Sequence, residues 1–159
     1  SAASDVYKRQ LYGERVGGLS VVCKDEAQAK AVQGQLQFNI RRIYSSPPSH
    51  GGHVVDIVMN DDALFNEWVQ EVYVMRDRIK DMRQKLRDSL EAKLPGRSFE
   101  YITKQNGMFS YTGLTPEQVA RIIKDFGIYM VANGRISVAG LNASNIDYVA
   151  NAMAEVLKD

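Results

Sequence analysis

Three arginines carry the clearest chemical potential in this sequence. Arg15 lies among Gly13, Gly17 and Gly18. Arg41 lies three residues before Tyr44 and the Pro47-Pro48 pair. Arg135 lies between Gly134 and the apolar run 136–139. Each sits in backbone bounded by glycine or proline rather than in a charged repeat. A guanidinium held by a rigid turn presents a planar fork of donors, which suits bidentate capture of a carboxylate or phosphate. Taken singly, each also reads as a surface or structural arginine; from chemistry alone they point to an anion-binding protein. Arg76, Arg78, Arg83 and Arg87 fall in a long charged stretch and read as a solvated helix face.

Other reactive residue types offer little. Cys23 is the single cysteine, so no intrachain disulfide or cysteine-clustered zinc site is expected. It sits in an apolar run and reads as a buried structural residue, because reactive thiols need an electropositive, accessible setting. His50 and His53 flank a glycine pair without a third ligand, so no metal site is expected. There is no Walker loop, dinucleotide fingerprint, nucleophile elbow or zincin motif. The 159 residues are 45% apolar and 25% charged, which fits one ordinary folded domain or somewhat more. Twenty basic against nineteen acidic side chains leave a net charge of +1. No global basic field exists for nucleic acid or an acidic membrane, so neither partner is expected. No apolar run approaches the roughly 18 residues of a membrane span. The N-terminus lacks a signal-peptide core, and the expectation is an intracellular protein.

The elements that position these residues follow from pattern. Residues 18–23 read as a short buried strand. Asp25 caps a helix with Gln28 as its capping-box partner, and that helix runs to about residue 44 with Ala27, Ala31, Leu36 and Ile40 inward. The Pro/Gly-rich stretch 45–52 reads as a shaped loop. Residues 54–59 restart a helix, and Asp61 or Asp62 caps a long one. In it Val72, Met75, Ile79, Met82 and Leu86 recur at steps of three and four. It stops before Pro95-Gly96, spanning roughly 45 Å at 1.5 Å per residue, either as a coiled-coil stripe or as a bridge between two domains. Residues 99–102, 108–111, 128–132 and 136–139 read as strands, with turns at 104–107 and Asn133-Gly134. Thr115, Pro116 and Gln118 open a helix that Gly127 ends. Asn142 or Ser144 opens a last helix bearing Ile146, Val149, Met153 and Val156. The fold class is α/β, with an α+β arrangement of helices on a small sheet in the last third.

At the arginines the sequence resembles a known family. Leu11-Tyr-Gly-Glu-Arg-Val-Gly17 is similar to the segment after the Schiff-base lysine in class I aminotransferases of the aspartate aminotransferase type. Ile40-Arg41, Tyr44-Ser45, Pro47-Pro48 and His50-Gly51 match in order and spacing. So do Gln105-Asn-Gly-Met-Phe-Ser110, Gly113-Leu-Thr115, Glu117-Gln-Val119 and Gly134-Arg-Ile-Ser-Val-Ala-Gly140. The resemblance runs from Leu11 to about Leu157, and some details look closest to the eukaryotic, including mitochondrial, branch. It implies a pyridoxal 5'-phosphate enzyme of fold type I that moves an amino group between dicarboxylic amino acids and 2-oxo acids. It further implies a homodimer in the cytoplasm or mitochondrion. By resemblance Arg15 and Ser45 would hold the cofactor, Arg135 the substrate α-carboxylate, and Arg41 the distal carboxylate in the neighbouring subunit's site. Tyr44 and Ser45 would line the shared interface, and Phe109 would stand near the substrate.

One departure is chemical. Tyr7 occupies the register of the Schiff-base lysine, Lys8 is one residue off, and residues 1–10 otherwise match nothing in the family. No catalytic residue is therefore assigned within the chain. The expectation is a C-terminal fragment that is inactive alone. Residues 1–10 would be a non-family segment and 11–60 the tail of a large cofactor-binding domain. Residues 61–94 would be a connecting helix and 95–159 a small C-terminal domain. Two alternatives stand beside it: a non-catalytic anion-binding or dimerisation module, and a fragment of an aromatic aminotransferase, which shares these motifs.

Overall fold

The computed structural model describes residues 13–14, 16–43 and 45–158. Tyr7, Arg15 and Tyr44 lie outside the described residues. The chain divides into two compact units, 1–68 and 69–159.

In the first unit, helix α1 spans Glu26–Ile43. Its start follows from Asp25, whose Oδ1 accepts from the Gln28 amide at 2.8 Å. The Gln28 side chain reaches back to the Lys24 amide rather than to that of Asp25. No α1 residue is buried: Leu36 is 36% and Ile40 38% exposed, so the expected inward face is open. Residues 18–23 do not form the expected buried strand. Only Gly18 makes a bridge, and Val22 is fully exposed. Cys23 is half-buried rather than enclosed. Apolar periodicity records that a face is made to be covered; it does not supply the cover. Helix α2 spans His50–Asn60, so Gly51 and Gly52 form its first turn instead of ending a loop. Gly51 is there for proximity, because a Cβ would lie 2.7 Å from Glu14 Cβ. Helix α3 spans Asp62–Lys93. Asp61 Oδ1 caps it, accepting from the amides of Ala63 and Leu64.

The second unit holds the hydrophobic core. Met82, Leu86 and Leu90 of α3 pack with Phe99, Ile102, Val119, Ile122, Val138, Met153 and Val156. Residues 99–102 are not a strand: helix α4 spans Glu100–Lys104. Phe99 and Ile102 are each 1% exposed, and their spacing of three puts both on one helical face. Glu91 holds the preceding turn by accepting from the Phe99 amide at 3.0 Å. Strand β1 is Phe109–Tyr111 and strand β2 is Arg135–Ser137. They pair antiparallel, Phe109 with Ser137, Ser110 with Ile136 and Tyr111 with Arg135. Helix α5, Pro116–Phe126, has the full capping box between Thr115 and Gln118 and ends on Gly127 in left-handed backbone. A 3-10 turn, Val138–Gly140, follows β2, and helix α6 spans Ile146–Leu157. Residues 128–132 form no strand: the turn 131–135 closes on itself, and β2 takes β1 as its neighbour instead.

Candidate anion-binding site

Arg135 is placed by the turn before it. Gly134 has φ 79°, and a Cβ there would lie 2.9 Å from the Leu114 carbonyl oxygen. Glycine is required on both counts. Asn133 Oδ1 accepts from the Arg135 amide at 3.1 Å, and the Gly134 carbonyl accepts from the Thr112 amide and hydroxyl. Side chains 109 and 111 share one face of β1, while Ser110 points inward at 1% exposure. Register then sets Phe109 diagonal to Arg135 on the outer face. The Arg135 guanidinium carbon stands 5.0 Å from the Phe109 ring centroid. A stacked guanidinium keeps its N–H edge available while its plane is fixed.

The two residues line a cavity of about 640 Å³, with Tyr129, Ile136, Ser137 and Tyr148 among its walls. That volume lies within the roughly 300–1,000 Å³ of small-molecule sites. Among the described residues, Arg135 is the single cation in the lining, and no lysine contributes. The donor set fits a carboxylate attached to an aromatic or short aliphatic body. It does not by itself fit a phosphorylated cofactor, which needs a further fixed cation and an amine. Tyr148 is held by its hydroxyl, which donates to the Phe126 carbonyl at 2.6 Å. Sequence reasoning missed Tyr129 and Tyr148, which lie outside every motif.

The remaining candidates belong to the first unit. Arg41 stands in the last turn of α1 and is exposed, so it is helical rather than held in a proline-bounded turn. A cation there suits the negative end of the helix. Ser45 has φ 58° and is the one non-glycine in left-handed backbone among the described residues. Such a conformation costs about 1–3 kcal/mol and concentrates at functional positions. No group of three or more potential metal ligands occurs among the described residues, and none of their helices is long and apolar enough to cross a membrane.

The reading of the α3 arginines needs a larger correction. Arg83 is 3% exposed, not part of a solvated face. Its Nη1 donates to the Ile102 carbonyl at 2.7 Å and to Ser110 Oγ at 3.2 Å. Its Nη2 donates to the carbonyls of Gly107 at 2.9 Å and Phe109 at 2.7 Å. Burial pulls its pKa below the ordinary arginine value. Arg78 likewise donates to the carbonyls of Leu141 and Ala139, at 2.9 and 3.0 Å. The Gln105–Ser110 motif becomes legible here. Gln105 pairs with both backbone groups of Tyr111 and accepts from Ser110 Oγ, and Gly107 turns the chain at φ 86°.

The family model of class I and II aminotransferases matches residues 8–153. The chain belongs to that family. The mitochondrial aspartate aminotransferase of Arabidopsis thaliana is 53% identical over 93% of this chain and 34% of its own length. Among solved structures, the aromatic amino acid aminotransferase of Psychrobacter sp. B6, cocrystallised with aspartic acid, superposes with a TM-score of 0.90. It is 69% identical, covering 94% of this chain and 38% of that one. The aromatic-amino-acid aminotransferase of Burkholderia pseudomallei, covalently bound to pyridoxal phosphate, gives 0.87 at 51% identity, covering 93% and 37%. The chain thus spans well under half the length of the relatives it matches. These neighbours are fold type I enzymes.

Proposed function

We propose that this chain forms the carboxylate-holding part of a pyridoxal-phosphate-dependent aminotransferase. The reaction is amino-group transfer between L-aspartate or L-glutamate and 2-oxoglutarate or oxaloacetate. The observation that carries the reading is Arg135, stacked on Phe109 at a cavity in a chain of this family. Arg135 binds the substrate α-carboxylate, and Arg41 binds the distal carboxylate in the site of a second subunit. Tyr44 and Ser45 line the interface of that homodimer, and Arg15, with Ser45, holds the cofactor phosphate. The cofactor, when bound, supplies the electron sink that lets an amino group change carriers. The chain's own residues bind and orient the acid. Domain limits after residues 10, 60 and 94 and a cytoplasmic or mitochondrial location belong to the same reading.

A second reading, aromatic substrates, is favoured by the walls of the cavity, where Phe109, Tyr129 and Tyr148 converge. Relatives named for both specificities match this chain. A hybrid separates the two: residues 13–158 replace the matched segment of the Psychrobacter enzyme. Arg41→Asp then lowers kcat/KM for aspartate by roughly two to four decades and spares phenylalanine. Equal loss on both substrates removes Arg41 from the distal-carboxylate role. The 159-residue chain alone, given pyridoxal phosphate, shows no turnover, because Tyr7 stands in the lysine register. Turnover at enzyme-like rates would mean that another lysine serves.

A further inference from the structure

A buried cation surrounded by carbonyl groups is a costly way to fill a core. Packing alone at position 83 would be met by a methionine or leucine of similar length. Arg83 has no carboxylate partner among the described residues, and all four of its hydrogen bonds end on one short stretch of chain. That stretch runs from the end of α4 through the Gly107 turn into β1, and it presents Phe109. The Phe109 residue is held on one side by pairing with Ser137 and on the other by Arg83 through its carbonyl. The Phe109 peptide is thus held from both sides, and its ring lies against Arg135.

We propose that Arg83 is a positioning residue for the Arg135 site: by fixing the Phe109 peptide it fixes the ring on which the Arg135 guanidinium stacks. It acts through backbone and does not touch substrate. A rigid fork is required because two separate carbonyls, those of Gly107 and Phe109, share one nitrogen while Ile102 and Ser110 share the other. A lysine ammonium keeps the charge and lacks that planar spread. The role rests on the reading of Arg135 as the carboxylate donor.

The test uses the 159-residue chain and the side-chain Nε–H resonance of Arg135, assigned by its loss in Arg135→Lys. In the parent chain the Phe109 ring current displaces that proton, and Phe109→Leu removes the displacement. In Arg83→Met and Arg83→Lys the displacement shrinks toward the unstacked value, while the amide signals of α5 and α6 keep their dispersion. A merely stabilising role lowers the melting temperature and leaves the Arg135 resonance where it was; that result in a folded variant overturns the proposal. Should Arg83→Met fail to fold, Arg83→Lys decides alone. Titration of the parent chain with 3-phenylpropionate tests the carboxylate reading on the same resonance. An Arg135 signal that ignores the acid removes that reading without altering the outcome for Arg83.

Discussion

Helices α1 and α5 both begin at side-chain caps, Asp25 in one and Thr115 in the other. Both carry apolar residues at helical spacing. Yet α5 buries Val119 and Ile122 to 1% or less, while α1 buries nothing. The contrast extends to the units that contain them. Gly51 is the one buried residue among those described up to Trp68, and the hydrophobic core lies wholly beyond it. Caps and turns act within a few residues and work equally well in either setting. Burial needs a second element, and in the second unit α3, α4, α5 and α6 supply it to one another. The candidate site follows the same division. Arg135 is locked by register, a glycine turn and an aromatic ring, whereas Arg41 stands on an open helix end.

The largest test of this contrast is a cavity in the core. Leu86→Ala, at 0% exposure, lowers the stability of the second unit by about 2–5 kcal/mol. Leu36→Ala in α1 changes stability by no more than about 0.5 kcal/mol. Urea unfolding followed by amide exchange in α6 and α1 measures both, and equal losses would contradict the division. A pair of glycines sharpens it with opposite signs. Gly134→Ala places a Cβ against the Leu114 carbonyl in left-handed backbone and costs about 1–3 kcal/mol. Gly34→Ala meets no atom within 4 Å in the interior of α1 and stabilises that helix by about 0.5–1 kcal/mol. Melting temperatures that move the same way would count against it.

The smallest effect is acidic. The Phe99 amide, assisted by Arg87 and against some desolvation, holds the Glu91 carboxyl below its ordinary value. The Glu117 carboxyl is held down by its own backbone amide and by Thr115. A lowered folded-state pKa means that this stability is complete above the ordinary glutamate value and is lost as pH falls through the folded one. The second unit therefore weakens on acidification below the ordinary glutamate range. Glu91→Gln flattens that limb in a pH series of melting curves; an unchanged limb would show that the carboxylate contributes nothing there.

Local chemistry was the legible part of the sequence. The capping box at Thr115, the Gly127 stop, the Asp61 cap and the long α3 follow from residue types at fixed spacing, and the structure has them. Phe99 and Ile102 misled because a four-residue apolar stretch fits either period until its partners are known. Residues 128–132 and 136–139 looked like a hairpin around Asn133-Gly134, but β2 pairs with β1 across helix α5, a choice made by tertiary packing. Arg83 was invisible for a related reason. On an arginine-rich helix nothing local separates the one guanidinium that enters the core from those that stay in water. The family motifs named Arg135 and Phe109; only register and distance bring them together.

The central claim is that Arg135 holds the carboxylate common to every amino-acid substrate. Its most direct test is kcat/KM for aspartate and phenylalanine in the hybrid enzyme, with Arg135 and with Arg135→Ala. Removing a charged donor to the shared carboxylate predicts a fall of roughly two to three decades on both substrates alike. Retained activity on either one would contradict the account.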